Sequence, residues 1–472
     1  MCKRKMSRRS FLGQAGCAAM GSTTLFNTAI QLGMLNTAAA RPHVLASPDD
    51  YKAIVCVLLA GGADSHNMLI PYDQDKYDMY DAFRGDLALA RGDLLNTSIT
   101  DSVSGRQFAL HPQMTHSKYL YDSGDLAFIS NIGTLVHPIS SASNLYNTGT
   151  QRPLGLYSHS DQIMQWQTSV PQDRSAVGVG GRMADMLKDM NTIDEISMNI
   201  SLDGRNRFQA GNQVVEYAVG NQIDELGIRS LPIGNNSGAL SELRNDAIQS
   251  IVEHTYANIF QSTYGDLTNQ TFDSLEVFQS ALAKRPGFQH GFDPFYLSQD
   301  MRMIADIISV QNSLGANRQI FFTTFGGWDH HDELINAQAQ KLPQLDRALH
   351  DLYTALGERP ECGMQDKVTI LTISDFGRTL TTNSGGSDHA WGGNMLMLGG
   401  AVNGGRIYGD YPDLIGNHER NIDERGRFVP GIASDQMYAE LALWFGVSPN
   451  DLSYILPNIG NFDNEPLLGL FS

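Results

Sequence analysis

Three apolar runs in this chain each stop at an aspartate in a tight turn. Residues 53–59 lead through Ala60-Gly61-Gly62-Ala63 to Asp64, residues 318–325 through Gly326-Gly327-Trp328 to Asp329, and residues 367–374 directly to Asp375. Strands that end this way deliver their carboxylates to the C-terminal edge of a parallel sheet, the usual ligand site of an open α/β fold. A short loop after the third run, Gly386-Ser387-Asp388-His389-Ala390-Trp391-Gly392-Gly393, adds an acid and an imidazole, and His330 and His331 follow Asp329. This pattern predicts an α/β fold with a central, largely parallel sheet and helices on both faces. The same residues form an oxygen- and nitrogen-rich set of the kind that holds one or two divalent metals.

The segments between these runs alternate as that architecture requires. A helix is expected from His111 to about Gly124, followed by a buried strand over residues 126–132. Ser160 or Asp161 caps a helix running through residues 163–167, and residues 190–240, with short alternating stretches such as 196–202, suggest a small sheet or an excursion. Two stronger helices are expected over residues 240–260 and 299–313, the latter with Met303, Ile304, Ile307 and Ile308 on one face. Residues 342–356 carry Leu345, Leu349, Leu352 and Leu356 on one face, which completes a βαβ unit between the second and third acid-tipped strands. A last helix spans residues 435–445. No Pro/Ser-rich hinge interrupts the pattern, so residues 41–472 are expected to form a single domain.

Residues 1–40 read as a targeting segment. Lys3, Arg4, Lys5, Arg8 and Arg9 give a basic start, Ser7-Arg8-Arg9-Ser10-Phe11-Leu12 resembles a twin-arginine export signal, and Thr37-Ala38-Ala39-Ala40 supplies small residues for cleavage. The expected location is therefore periplasmic or extracellular, with no transmembrane anchor in the mature chain. Removal of the leader takes the formal charge from -18 to -23, which argues against nucleic acid or anionic membranes as partners. Beyond the leader only Cys56 and Cys362 remain, one in an apolar run and one in a polar turn, so a disulfide framework is not expected.

Gly326-Gly327-Trp328-Asp329-His330-His331-Asp332 is the densest cluster. Asp329 and one of the two histidines, His331 or alternatively His330, can reach a single ion from one loop. At the third strand Asp375 is followed by Arg378, which either binds an anionic group or neutralises the carboxylate as a buried pair. His389 is a further imidazole ligand, with Asp388 as ligand or as the acceptor behind it. Asp64 is an oxygen ligand or the cap of the next helix. Ser158 and Ser160 flank His159 at a helix start; they either cap the helix or include a nucleophile activated by a metal. His111, His116 and His137 read as structural.

Ordered motifs then carry a resemblance: Gly61-Gly62-Ala63-Asp64, Ala109-Leu110-His111-Pro112, Tyr157-Ser158-His159 with Trp166, Gly326-Gly327-Trp328-Asp329, Ser374-Asp375-Phe376-Gly377-Arg378-Thr379, Asp388-His389 and Gly404-Gly405-Arg406-Ile407-Tyr408-Gly409. Together they resemble an uncharacterised family of exported bacterial proteins, domain of unknown function 1501. That family looks related to the alkaline phosphatase and sulfatase superfamily. The resemblance implies an alkaline-phosphatase-like sandwich and a metal-dependent site. It would place one ion (Zn, Ca, Mg or Mn) on Asp64 and Asp375 and another on Asp329, His331 and His389. Among the chain's own residues, Ser158 and Ser160 are in plausible positions for a nucleophile, and Arg378 would steady an anionic group by forked hydrogen bonds.

The sequence departs from the superfamily at Phe376, where a histidine commonly follows the aspartate, and in having no clear counterpart of its nucleophile. Both departures point to a single-metal site or to loss of the parent chemistry. The expected activity is hydrolysis of phosphate or sulfate esters, small or polymeric, with carbohydrate as one carrier. The alternative is a non-catalytic exported binding or assembly protein that keeps the fold and a structural metal.

Overall fold

Continuous runs rich in Val, Ile and Leu form strands buried on both faces, and this chain places three of them side by side. The computed structural model describes residues 50–193, 196–221, 274–358, 364–415, 417–462 and 467–471. In chain order its strands begin with β1 (Lys52–Leu59), β2 (Leu69–Pro71), β3 (Ser98–Thr100), β4 (Gln107–Leu110), β5 (Leu126–Gly133), β6 (Asn199–Ser201) and β7 (Tyr217–Ala218). They continue with β8 (Arg318–Thr324), β9 (Val368–Ser374), β10 (Arg378–Thr382), β11 (Ser387–His389), β12 (Gly393–Leu398), β13 (Ile407–Tyr408) and β14 (Ile432–Ala433). The main helices are α1 (Gln74–Arg84), α2 (Thr115–Asp122), α3 (His159–Thr168), α4 (Val179–Leu187), α5 (Tyr296–Ser309), α6 (Leu334–Gly357) and α7 (Ser434–Phe445).

The central sheet has the order β13-β5-β12-β9-β1-β8-β6-β7, with β14 also paired to β5. The three acid-tipped runs are its middle: β1 lies between β8 and β9 and is parallel to both. Only β12 runs against its neighbours, antiparallel to β5 and β9, so the sheet is mixed but mostly parallel. Residues 196–202 do not form a separate sheet; β6 joins the central one beside β8. A smaller sheet, β2-β4-β3, and the β10-β11 hairpin stand apart.

Alternation along β1 shows how the layers form. Ala53, Val55, Val57 and Leu59 pack into one core with Met301, Ile304 and Ile308 of α5 and Leu345, Leu349 and Leu352 of α6. Ile54, Cys56 and Leu58 face a second core built with Val179 and Met183 of α4 and Met437, Leu441 and Phe445 of α7. Helices therefore cover both faces of an α/β fold. α2 starts at Thr115, past the expected His111, because Pro112 precedes it and the Met114 N–H bonds the His111 carbonyl in a turn. The helix expected over residues 240–260 and the cysteine at position 362 lie outside the described residues. No helix among the described residues is long and apolar enough to cross a membrane.

Candidate metal centre

The glycines after β1 set the spacing of the three strand tips. Gly61 (φ +120°) and Gly62 (φ +75°) adopt backbone that side chains disfavour. A Cβ on Gly61 would lie 2.5 Å from the Asp329 nitrogen, and one on Gly62 would lie 2.4 Å from the Phe376 ring. The turn is stitched to both neighbours: the Trp328 N–H donates to the Ala60 carbonyl (3.0 Å), and the Gly61 N–H donates to Asp375 Oδ1 (3.0 Å). Arg378, fully buried, donates through Nε to the Gly62 carbonyl (2.7 Å), through Nη1 to the Ser387 carbonyl (2.9 Å), and through Nη2 to the Gly61 carbonyl and Asp329 Oδ1.

Around Asp329 three imidazoles converge. His331 Nε2 lies 3.0 Å and His389 Nε2 3.4 Å from Asp329 Oδ1, and His159 Nε2 lies 3.5 Å from Oδ2. The Nε2 atoms of His331 and His389 are 3.0 Å apart. Bonds of about 2.0–2.2 Å to one ion separate its ligand atoms by roughly 3.0–3.5 Å, so the Asp329, His331 and His389 spacings suit one centre, and ligand atoms of His159, Asp329 and His389 also lie within 4.8 Å of one another.

The opposite edges of the rings are anchored. His159 Nδ1 faces Asp375 Oδ2 at 2.6 Å, and His389 Nδ1 faces the Tyr157 carbonyl at 2.8 Å. With those nitrogens donating, each Nε2 carries a lone pair. His331 Nδ1 meets the Asn383 amide at 3.1 Å, while Asn383 Oδ1 is buried without a partner. Exchanging the amide's oxygen and nitrogen would make His331 Nδ1 a donor as well, with the NH2 taking the partnerless position. His159 Nε2 is likewise buried without a hydrogen bond. Phe376 packs against the rings of both His159 and His389, with centroids 4.8 and 4.6 Å away, while those two rings lie 4.5 Å from each other.

The electrostatics suit cation binding. Burial opposes ionisation of Asp329, but the Arg378 hydrogen bond and charge, with His331 and His159, hold its pKa below the usual carboxylate value. Burial lowers the pKa of His389, and the Tyr157 carbonyl only partly offsets it.

The residues singled out from sequence divide clearly. Asp329, His331 and His389 come together. Asp375 stands one step behind as the acceptor for His159. Asp64 is diverted: its Oδ2 takes Arg84 Nη2 (2.9 Å) and Ser387 Oγ (2.8 Å), its Oδ1 takes the His66 N–H (3.2 Å), and it is buried. A shared Asp64–Asp375 ion does not fit, because Asp64 already has a buried cation. Arg378 points its guanidinium at the strand turns and Asp329, so the expected forked grip on a substrate is replaced by a structural one. Ser158 caps α3, its Oγ accepting the Asp161 N–H at 3.5 Å and lying 3.2 Å from Ser160 Oγ. Among the described residues, no hydrogen bond links either hydroxyl to the imidazole cluster. His330 turns away, its ring 6.1 Å from that of Trp328. Asp388 Oδ2 is held by Arg425 Nη1 (2.6 Å) and Arg427 Nη2 (2.9 Å).

His159 is the donor missed in the sequence reading. Its position beside a helix cap drew attention to the serines, and only the Tyr157-Ser158-His159 motif signalled it.

Residues 303–449 match the model of the family described as "Protein of unknown function (DUF1501)". That stretch contains Asp329, His331, Asp375, Arg378 and His389 and supports the family resemblance carried by the motifs. No curated protein matches the chain. Among solved structures it is similar to the crystal structure of Ps i-CgsB, with 11% identity and a TM-score of 0.32, covering 88% of this chain and 79% of that one. The crystal structure of Ps i-CgsB in complex with k-i-k-neocarrahexaose gives 11% identity, a TM-score of 0.31 and the same coverage. Agreement this loose identifies neither fold nor activity.

Proposed function

We propose that this protein is an exported metal-dependent hydrolase of phosphate or sulfate esters, with one divalent ion held by His159, Asp329, His331 and His389. The observation that carries the reading is the buried, unpartnered Nε2 of His159, aimed with two other Nε2 atoms at one carboxylate. Three imidazoles and one carboxylate suit zinc better than calcium or magnesium, which favour oxygen donors. A bound ion would supply a Lewis acid for the ester and a water acidic enough to attack near neutral pH.

The chain's own residues do the rest. Asp375, the Tyr157 carbonyl and Asn383 fix the imidazole tautomers and ring orientations. Arg378 shares the charge of Asp329, so a dication held by imidazoles and this half-neutralised carboxylate would keep much of its charge. That favours an anionic substrate. With Ser158 and Ser160 occupied at the helix start, water is the attacking group. Asp329 and His331 have side chains 45% and 42% exposed, so an ester can approach from solvent.

The alternative, a non-catalytic binding or assembly protein, is favoured by one feature. With the Asn383 amide as placed, its Nδ2 donates to His331, and a closed hydrogen-bonded chain runs on to His389. Elemental analysis of protein purified without added metal, repeated on His389→Ala, is paired with aryl phosphate and aryl sulfate panels. Stoichiometric metal lost in the variant, with turnover of one ester class, is expected. Metal-free protein, or loaded protein inert on both panels, would falsify the hydrolase reading.

A further inference from the structure

In a chain of formal charge -18, three guanidiniums gather around the imidazole cluster. Arg378 is buried and committed to Asp329 and three carbonyls. Arg427 is committed on all three nitrogens: Nε to the His389 carbonyl (2.6 Å), Nη1 to Asp423 Oδ2 (2.5 Å) and Nη2 to Asp388 Oδ2 (2.9 Å). Arg425 differs. Its side chain is 38% exposed, and only Nη1 is engaged, with Asp388 Oδ2 at 2.6 Å. Its Nε and Nη2 make no hydrogen bond among the described residues. Those two atoms form one edge of the planar fork, the edge that matches two oxygens of a tetrahedral anion.

Position matters as much as chemistry. An oxygen of Asp388 and ring nitrogens of His331 and His389 all lie within 4.8 Å of one another, so the Arg425 head group is one carboxylate away from the cluster. The backbone beneath it is fixed: the Arg425 N–H donates to Asp423 Oδ1 (3.0 Å), and its carbonyl accepts the Thr381 N–H (3.2 Å). Asp388 lies between Arg425 and Arg427, and Asp423 neutralises the second of these, so Asp388 orients Arg425 through Nη1 alone and leaves the Nε–Nη2 edge open.

We propose that Arg425 is the substrate-anion clamp, gripping the non-bridging oxygens of a phosphate or sulfate monoester through Nε and Nη2 while the ester oxygen faces the imidazole cluster. The inference rests on the metal-hydrolase reading for its substrate class and replaces Arg378 in the role that the sequence suggested for it.

The test titrates metal-free and zinc-loaded protein with inorganic phosphate and inorganic sulfate by calorimetry, with zinc affinity measured separately. Arg425→Gln, which can still bond Asp388, is expected to weaken the anion by about 10–100-fold. Arg425→Lys should recover part of that loss, with zinc affinity equal throughout. Unchanged anion affinity in Arg425→Gln overturns the clamp, with or without metal. So does zinc affinity that falls in step with anion affinity, the mark of a purely structural Asp388–Arg425 pair. Anion binding that needs Arg425, in a protein that turns over neither ester class, keeps the clamp and removes the hydrolase. Turnover unimpaired in Arg425→Gln does the reverse.

Discussion

Nδ1 of His159 lies 2.6 Å from Oδ2 of Asp375, a fully buried carboxylate 216 positions away in sequence. A carboxylate behind a metal-binding imidazole fixes its tautomer and raises its basicity. Asp375→Asn is therefore expected to lower zinc affinity by about 10–100-fold while leaving stoichiometry at one ion. Competition with a chromogenic chelator measures both. Stoichiometry falling to zero would instead make Asp375 a direct ligand.

Asn383 offers a sharper check on whether His331 presents a lone pair. Asn383→Asp places an acceptor against His331 Nδ1 whichever way the group is turned, so zinc affinity is expected to hold or rise. Asn383→Ala should lower it. Nitrogen NMR of the imidazoles should show His331 protonated on Nδ1 in the zinc-loaded wild type; an Nε2-protonated ring would contradict the proposed ligand set.

Asp64 and Arg84 form a buried ion pair, and breaking one side leaves an uncompensated charge. Burial opposes ionisation of Asp64, yet Arg84, with His66 and Ser387, holds its pKa below the usual value. Arg84→Met should cost about 3–5 kcal/mol in urea unfolding. Asp64→Asn should leave zinc stoichiometry unchanged, and loss of the ion in that variant would return Asp64 to the centre.

Acid should destabilise the protein before its carboxylates titrate. Burial pushes His111 down to about 4, and its Nδ1 accepts the Gln113 N–H at 3.2 Å. The unfolded chain binds this proton near pH 6.5 and the folded chain only near 4. Between those values the unfolded state carries more protons, so stability falls as pH drops. The contribution is up to about 3 kcal/mol. His111→Asn, whose Oδ1 can accept the same N–H, should flatten the urea midpoint between pH 6.5 and pH 4; an unchanged slope would assign the loss elsewhere.

Much of this was legible because β1, β8 and β9 are continuous apolar runs, and a buried parallel strand leaves no other pattern. Their tips could be read as ligands, but which ligands share a point could not. Asp64 depends on Arg84, placed by α1 against the β10 backbone through its bonds to the Thr379 and Leu380 carbonyls. His159 depends on how α3 enters, and a histidine next to a capping serine looks like any helix start. Asp388 depends on Arg425 and Arg427, which arrive from a loop with no periodic signal. The direction of β12 was equally hidden, since Gly393–Leu398 reads the same in a parallel or an antiparallel ladder.

The anchor for His389 is the carbonyl of Tyr157, 232 positions earlier, held in a left-handed backbone turn at φ +72°. Donors so scattered form a complete set only after β11 has left the ribosome, late in synthesis. Under the metal reading proposed above, a cation would then be captured late or after synthesis, and the compartment in which the polypeptide finishes folding would decide which metal it meets.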